Sequence, residues 1–194
     1  MSKGGHEPVK ASHLPEGDAI RILLEQHARV RALFADVREA TGAHRQETFD
    51  ELRALLAVHE TAEEMVLRPT SAKVAGREVV DARNAEEAEA TRMLKDLERL
   101  DVRSVEFDTL LAALEQAVLQ HADSEEREEF PRVVAALDEE ARTDLGKQIL
   151  AAEAIAPTHP HPSTAGSTGA QWALGPFASI VDRTRDTLKG LLRS

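Results

Sequence analysis

The sequence predicts an all-α fold: an antiparallel up-down four-helix bundle with a short fifth helix and a C-terminal amphipathic helix. Apolar residues recur in alternating steps of three and four through four long segments, the seam spacing of bundle helices. Glycine, proline or serine breaks separate those segments. Period-two runs of β-branched residues are absent, so no sheet is expected.

Residues 1–17 carry Gly4, Gly5, Pro8 and Pro15 and read as a loose N-terminal arm. The bundle is expected over residues 18–156. A first helix, about Asp18 to Ala40, ends at Thr41-Gly42 and has the seam Ile20, Leu23, His27, Val30, Phe34, Val37. A second, about Gln46 to Arg68, is expected to stop near Pro69; its seam is Phe49, Leu52, Leu56, His59, Glu63, Val66. A third, about Arg77 to Leu100, can be read as Val80, Arg83, Glu87, Ala90, Leu94, Leu97. A fourth starts at the N-cap candidate Ser104, shows Phe107, Leu111, Leu114, Val118, His121, Glu125, and is kinked or ended by Pro131. A fifth, shorter helix spans about Asp138 to Ala156. Residues 157–170 form a Pro/Ser/Gly linker, and 171–194 hold the amphipathic helix, about Pro176 to Leu192.

Composition excludes several functions. A net charge of -11 argues against nucleic acid as a partner. With no cysteine there are no disulfides, zinc–thiolate sites or thiol catalysis, and with no tyrosine there is no phenolate ligand. No apolar run follows Lys3, and no segment reads as a signal peptide or membrane span, so the expected compartment is the cytoplasm. The terminal helix sets Arg183, Arg185, Lys189 and Arg193 against Asp182 and Asp186; docking on its own bundle or on a partner is favoured over a membrane surface. Oligomeric state is left open.

The chemistry lies in the seam. The midpoint of His27 and His59 is Ala43, in the first break; that of His59 and Glu87 is Lys73, in the second; that of Glu87 and His121 is Ser104, in the third. Antiparallel helices joined by short loops place residues equidistant from a loop at one height. All four helices therefore carry an inward His or Glu at one level. Glu63 and Glu125 add carboxylates one helical turn beyond His59 and His121. Burying such a layer without a cation would cost several kcal/mol. Mixed nitrogen and oxygen donors suit iron, manganese or zinc. The hexad His27, His59, Glu63, Glu87, His121 and Glu125 exceeds one ion's need and suits two ions bridged by Glu63 and Glu125. Glu86 competes with the preferred Glu87. Glu64 and Glu126 turn about 100° off the seam and are expected to leave the metal untouched. Without cations, the inward carboxylates repel and are expected to hold protons more tightly. His159 and His161 in the linker read as solvated. No donor was found beyond Glu125, so residues 157–194 are expected to be dispensable for the metal.

His59-Glu60-x-x-Glu63 lacks the second histidine of a metalloprotease motif, and the Glu-x-x-His pairs of ferritin-like sites are missing. The pattern instead resembles the hemerythrin/HHE cation-binding family over about residues 18–156. The likeness is carried by His27 within Glu25-Gln26-His27-Ala28-Arg29-Val30-Arg31, by His59 with Glu63, and by His121 with Glu125. It implies a four-helix bundle with a non-haem centre of two iron ions, oxo- or hydroxo-bridged, that binds dioxygen or a related small molecule. Oxygen carriers of the family place two histidines on the third helix, where this chain has Arg83 and Glu87. Some HHE-type domains exchange histidine for glutamate, including one with a His-Glu-x-x-Glu segment, which makes Glu60 a further candidate ligand. Fewer nitrogen donors favour the ferric state and redox turnover over reversible oxygen carriage. The expected function is binding or turnover of O2, hydrogen peroxide or nitric oxide, with a peroxide-consuming enzyme among the readings. The alternatives are a non-enzymatic iron or oxygen sensor or store, and a metal-free structural bundle. No residue is assigned a catalytic role beyond the metal.

Overall fold

The structure, a computed structural model, describes residues 9–156. A short 3-10 turn, Ala11–His13, precedes α1 (Ala19–Glu39), and Leu14 between them is buried. Asp18 caps α1, its Oδ1 accepting from the Ile20 N–H at 2.9 Å. Its other oxygen accepts from Arg142 Nε at 2.6 Å, which ties the start of the bundle to the last helix. The same crossing needs a glycine: a Cβ on Gly146 would lie 2.0 Å from the Gly17 carbonyl oxygen.

Gly42, at φ 60, opens α2 (Gly42–Ala62), so the second helix begins earlier than Gln46. It also does not stop at Pro69. A π turn, Glu63–Leu67, widens the helix, and α3 (Arg68–Val74) continues with the proline in its first turn. There the missing N–H is tolerated, and the wider turn relieves the clash of the proline ring with the carbonyl four residues back. Gly76, at φ 95, precedes α4 (Arg77–Leu97). Ser104 caps α5 (Val105–Ser124), its hydroxyl accepting from the Phe107 N–H at 3.1 Å. A second π turn, Glu125–Glu129, leads into α6 (Phe130–Ala136), again with a proline, Pro131, in its first turn. Asp138 caps α7 (Glu139–Glu153).

α1 packs on α2, α4 on α5, and α7 lies back across α1 and α2, giving the antiparallel bundle with its fifth helix. The apolar core is divided. One cluster includes Ile20, Leu23, Leu67, Phe130 and Ile149; the other includes Val30, Phe34, Phe49, Leu52, Leu94, Phe107 and Leu114. His27 falls between Leu23 and Val30, and the other inward polar residues fall at the same division. The polar layer is thus a slab closed above and below by hydrocarbon, where charge interactions are strong and water is scarce.

Residues 1–8 and 157–194 lie outside the described residues, and with them the linker, His159, His161 and the C-terminal helix. Among the described residues no helix is long and apolar enough to cross a membrane.

Candidate metal centre

Two groups of buried donors converge in the slab. The first is His27, His59, Glu63 and Glu125, the second Glu63, Glu87, His121 and Glu125, and in each group the donor atoms lie within 4.8 Å of one another. Glu63 and Glu125 belong to both. His27 Nε2 is 3.3 Å from Glu125 Oε2, and His59 Nε2 is 3.6 Å from Glu63 Oε1. In the second group His121 Nε2 lies 3.3 Å from Glu125 Oε1, 3.5 Å from Glu87 Oε1 and 4.0 Å from Glu63 Oε2.

Every histidine is held by its other nitrogen. His27 Nδ1 donates to Glu126 Oε1 at 2.9 Å, His59 Nδ1 to Gln26 Oε1 at 2.7 Å, and His121 Nδ1 to Glu86 Oε2 at 3.0 Å. These partners are anchored in turn: Glu126 by Arg31, Gln26 by Glu153, and Glu86 by Arg83. This arrangement commits each Nδ1 to its outer partner and turns Nε2 inward, the outer support that metal-binding imidazoles require. The inward atoms His27 Nε2, Glu63 Oε1 and Glu125 Oε2 are fully buried and have no hydrogen-bond partner among the described residues. Unpartnered buried acceptors are costly, and a cation among them satisfies all three together. The donors therefore fit a transition-metal ion.

The second group is already engaged. Arg68, buried in full, points its Nη2 at Glu125 Oε1 (2.6 Å), at Glu63 Oε2 (3.3 Å) and at Glu87 Oε1, while Nη1 donates to Glu129 Oε1 at 2.8 Å. This guanidinium and the histidines set the proton affinities of the metal-free protein. Burial raises Glu125, but His121 and Arg68 outweigh it and hold the carboxyl well below the usual range. Glu63 is likewise lowered: burial and Glu125 push it up, and His59 and Arg68 more than offset them. Burial pushes Glu87 up to about 7 against Arg68 and His121. It also pulls His59 down. Burial opposes charge on His27 too, yet Glu125 and Glu126 raise it to about 9. The expected rise in all three inward carboxylates is thus corrected: only Glu87 follows it, because the cationic side chains outweigh burial at Glu63 and Glu125 and do not at Glu87.

Beside the layer lies a cavity of about 50 Å³, walled by His27, His59, His121 and Glu60 on one side and by Leu56, Leu94, Leu114 and Val118 on the other. It has room for a few water-sized molecules. Glu60 belongs to neither histidine group but meets the second through Glu87. It lies with Glu64 and Glu87 and accepts the Thr91 hydroxyl at 2.8 and 2.9 Å.

The family model described as the hemerythrin HHE cation-binding domain matches residues 18–133. The chain belongs to the hemerythrin HHE cation-binding family. It is similar to an uncharacterised hemerythrin-like protein of Schizosaccharomyces pombe, at 26% identity over 137 residues, covering 69% of this chain and 68% of the relative. Its fold matches the crystal structure of an HHE cation-binding domain-containing protein from Mycobacterium kansasii. The TM-score there is 0.63 at 24% identity, over 71% of this chain and 85% of the other.

Within this HHE bundle the structure gathers His27, His59, Glu63, Glu87, His121 and Glu125 and sets Glu60 to one side. Glu86 supports His121 from outside, and Glu87 takes the inward place. The expectation that Glu64 and Glu126 turn away is corrected. Glu64 lies within reach of Glu87, and Glu126 grips His27, because this side chain bends back to the imidazole packed against its helix. Sequence reasoning missed Gln26, Glu129 and above all Arg68, which was placed at a helix end. One signal could have found it. His59, Glu63 and Pro69 repeat as His121, Glu125 and Pro131 at the same spacing, so the helix passing Pro69 must do what the helix passing Pro131 does. Glu126→Ala, by freeing the His27 ring, is expected to weaken metal binding about 10–100-fold, as loss of such outer partners does; competition against a chromophoric chelator measures it.

Proposed function

We propose that the protein binds two iron ions through His27, His59, Glu63, Glu87, His121 and Glu125, with Glu63 and Glu125 shared, and that it binds or turns over O2, hydrogen peroxide or nitric oxide. The carrying observation is the set of inward atoms without a hydrogen-bond partner among the described residues, His27 Nε2, Glu63 Oε1 and Glu125 Oε2, beside a cavity of small-molecule size. Iron bound there would supply electrons and a Lewis-acidic docking point. The chain's own residues do the rest. Leu56, Leu94, Leu114 and Val118 exclude water and admit small, weakly polar molecules. Glu60 is a protic group at the wall: burial raises its proton affinity well above the ordinary range, with Glu87 and Glu64 adding to it. It would hold a proton at the cavity wall, with Thr91 fixing its carboxyl.

The donor set contains as many carboxylates as imidazoles, and carboxylates favour the higher iron charge. That supports redox turnover over reversible carriage. The rival reading is a sensor or store in which occupancy of the layer is itself the signal. Steady-state consumption of hydrogen peroxide by the iron-loaded protein decides between them. Sustained turnover that Glu60→Gln slows at least about tenfold, the usual scale of a proton-transfer group, supports the enzyme. A single stoichiometric oxidation without turnover supports the sensor or store.

A further inference from the structure

The two halves of the centre are built alike. Gln26 supports His59 as Glu86 supports His121, and His27 and Glu87 are the next residues in each case. Glu63 and Glu125 each open a π turn, and Arg68 and Phe130 each stand just before the proline that follows. The halves differ most at two corresponding places. One has His27 with the Phe130 ring stacked on it, at 5.6 Å and 16°. The other has Glu87 with the Arg68 guanidinium on it. An imidazole and a phenyl ring in one half are replaced by a carboxylate and a cation in the other.

The consequence is visible atom by atom. Three inward donors of the first half have no hydrogen-bond partner among the described residues and meet only one another and His59. Their counterparts in the second half, Glu87 Oε1, Glu63 Oε2 and Glu125 Oε1, all meet Arg68 Nη2. We propose that Arg68 is a built-in cation that holds the second metal position, so that the two positions load in order: first the one at His27 and His59, then the one at Glu87 and His121, as the second ion displaces Arg68. This rests on the two-ion reading above. The displaced guanidinium has a receiver. Nη1 already sits on Glu129 Oε1, and Glu129 Oε2 is buried without a partner, so Nη2 can move onto it and complete a two-toothed pair. Glu129 reaches Arg68 from α6's π turn and belongs to neither donor group. A fixed positive charge among the donors also repels an incoming ion, which separates the two affinities.

The test is a titration of the metal-free full chain with Zn2+, a diamagnetic probe, followed by calorimetry and by the Arg68 Nε–H NMR signal. The wild type is expected to bind in two unequal steps, with the Arg68 signal unmoved by the first equivalent and shifted by the second. Arg68→Gln should tighten the second step by about tenfold or more, the scale of an ordinary coupling between sites, and leave the first step near wild type. Glu129→Gln, which removes the receiver, should weaken the second step. If Arg68→Gln does not fold, the NMR signal of the wild type decides alone. Two steps unchanged by Arg68→Gln, or an Arg68 signal that moves with the first equivalent, overturn the ordering and leave the two-ion centre standing. No Zn2+ uptake by the wild type overturns the centre itself, and the ordering with it.

Discussion

Glu63→Ala is expected to remove more than one ion's worth of iron from the protein, the largest effect of any single substitution outside the histidines. Glu63 offers Oε1 to the group with His27 and His59 and Oε2 to the group with His121 and Glu87. One deletion therefore takes a ligand from both positions. Glu125, which faces His27 with Oε2 and His121 with Oε1, should behave alike. The control must be a glutamate truly outside the layer. Glu64 does not serve, since it reaches Glu87; Glu51, exposed and paired with Arg29, does. Metal analysis of the three variants after identical iron loading reads the result. Equal iron in Glu63→Ala and Glu51→Ala would refute the shared-carboxylate geometry.

The second large effect is an opposite pH dependence of the metal-free and loaded proteins. In the metal-free protein His27 is raised to about 9, so the stability it contributes is fully present below its ordinary value near 6.5 and is lost as pH rises through 9. Glu87, raised to about 7, is protonated in the folded state at pH values where an unfolded glutamate is ionised, so stability also falls as pH rises from about 4.5 to 7. Both act in one direction. Other groups oppose them at lower pH: His59, lowered by burial, below about 6.5, and Glu63, Glu125 and Glu126, held down by the histidines and arginines facing them, below about 4.5. The clear window is therefore pH 6.5 to 9, where His121, also raised by Glu125, acts with His27, and the metal-free melting temperature should drop by on the order of 5–10 °C, taking about 1.4 kcal/mol per tenfold in proton affinity and 2–4 °C per kcal/mol. The loaded protein should do the reverse, since the metal replaces the His27 proton and is released only as acid returns it. Calorimetric melts of both forms across that window check the sign.

The inward residues were legible because they obey two simple rules at once. His27, His59, Glu87 and His121 sit on three-four seams, and their midpoints fall at or close to the breaks before Gly42, at Gly76 and at Ser104, so their common height needed no coordinates. Capping by Ser104 followed from local chemistry, and the starts near Asp18 and Asp138 fell on residues that also cap. What failed was the local rule for proline. Pro69 ends an ordinary α-helix, but a π turn just before it absorbs the ring, and the helix carries Arg68 into the core instead of out to solvent. π turns have no reliable sequence mark and recur at functional sites. The supporting residues failed for a different reason. Gln26, Glu86 and Glu126 stand next to inward residues, off the seam, and only the packing of neighbouring helices brings their side chains to a ring nitrogen.

The most direct test of the centre is its metal content. Protein produced with iron supplementation, stripped of loosely held ions and reconstituted anaerobically with excess Fe(II), should retain about two irons per chain, as a six-donor layer with two shared carboxylates requires. Air oxidation should then produce a near-ultraviolet charge-transfer band. A colourless protein holding less than about half an equivalent of any transition metal would contradict the account, because the unpartnered donors at His27, Glu63 and Glu125 would then have no cation to explain them.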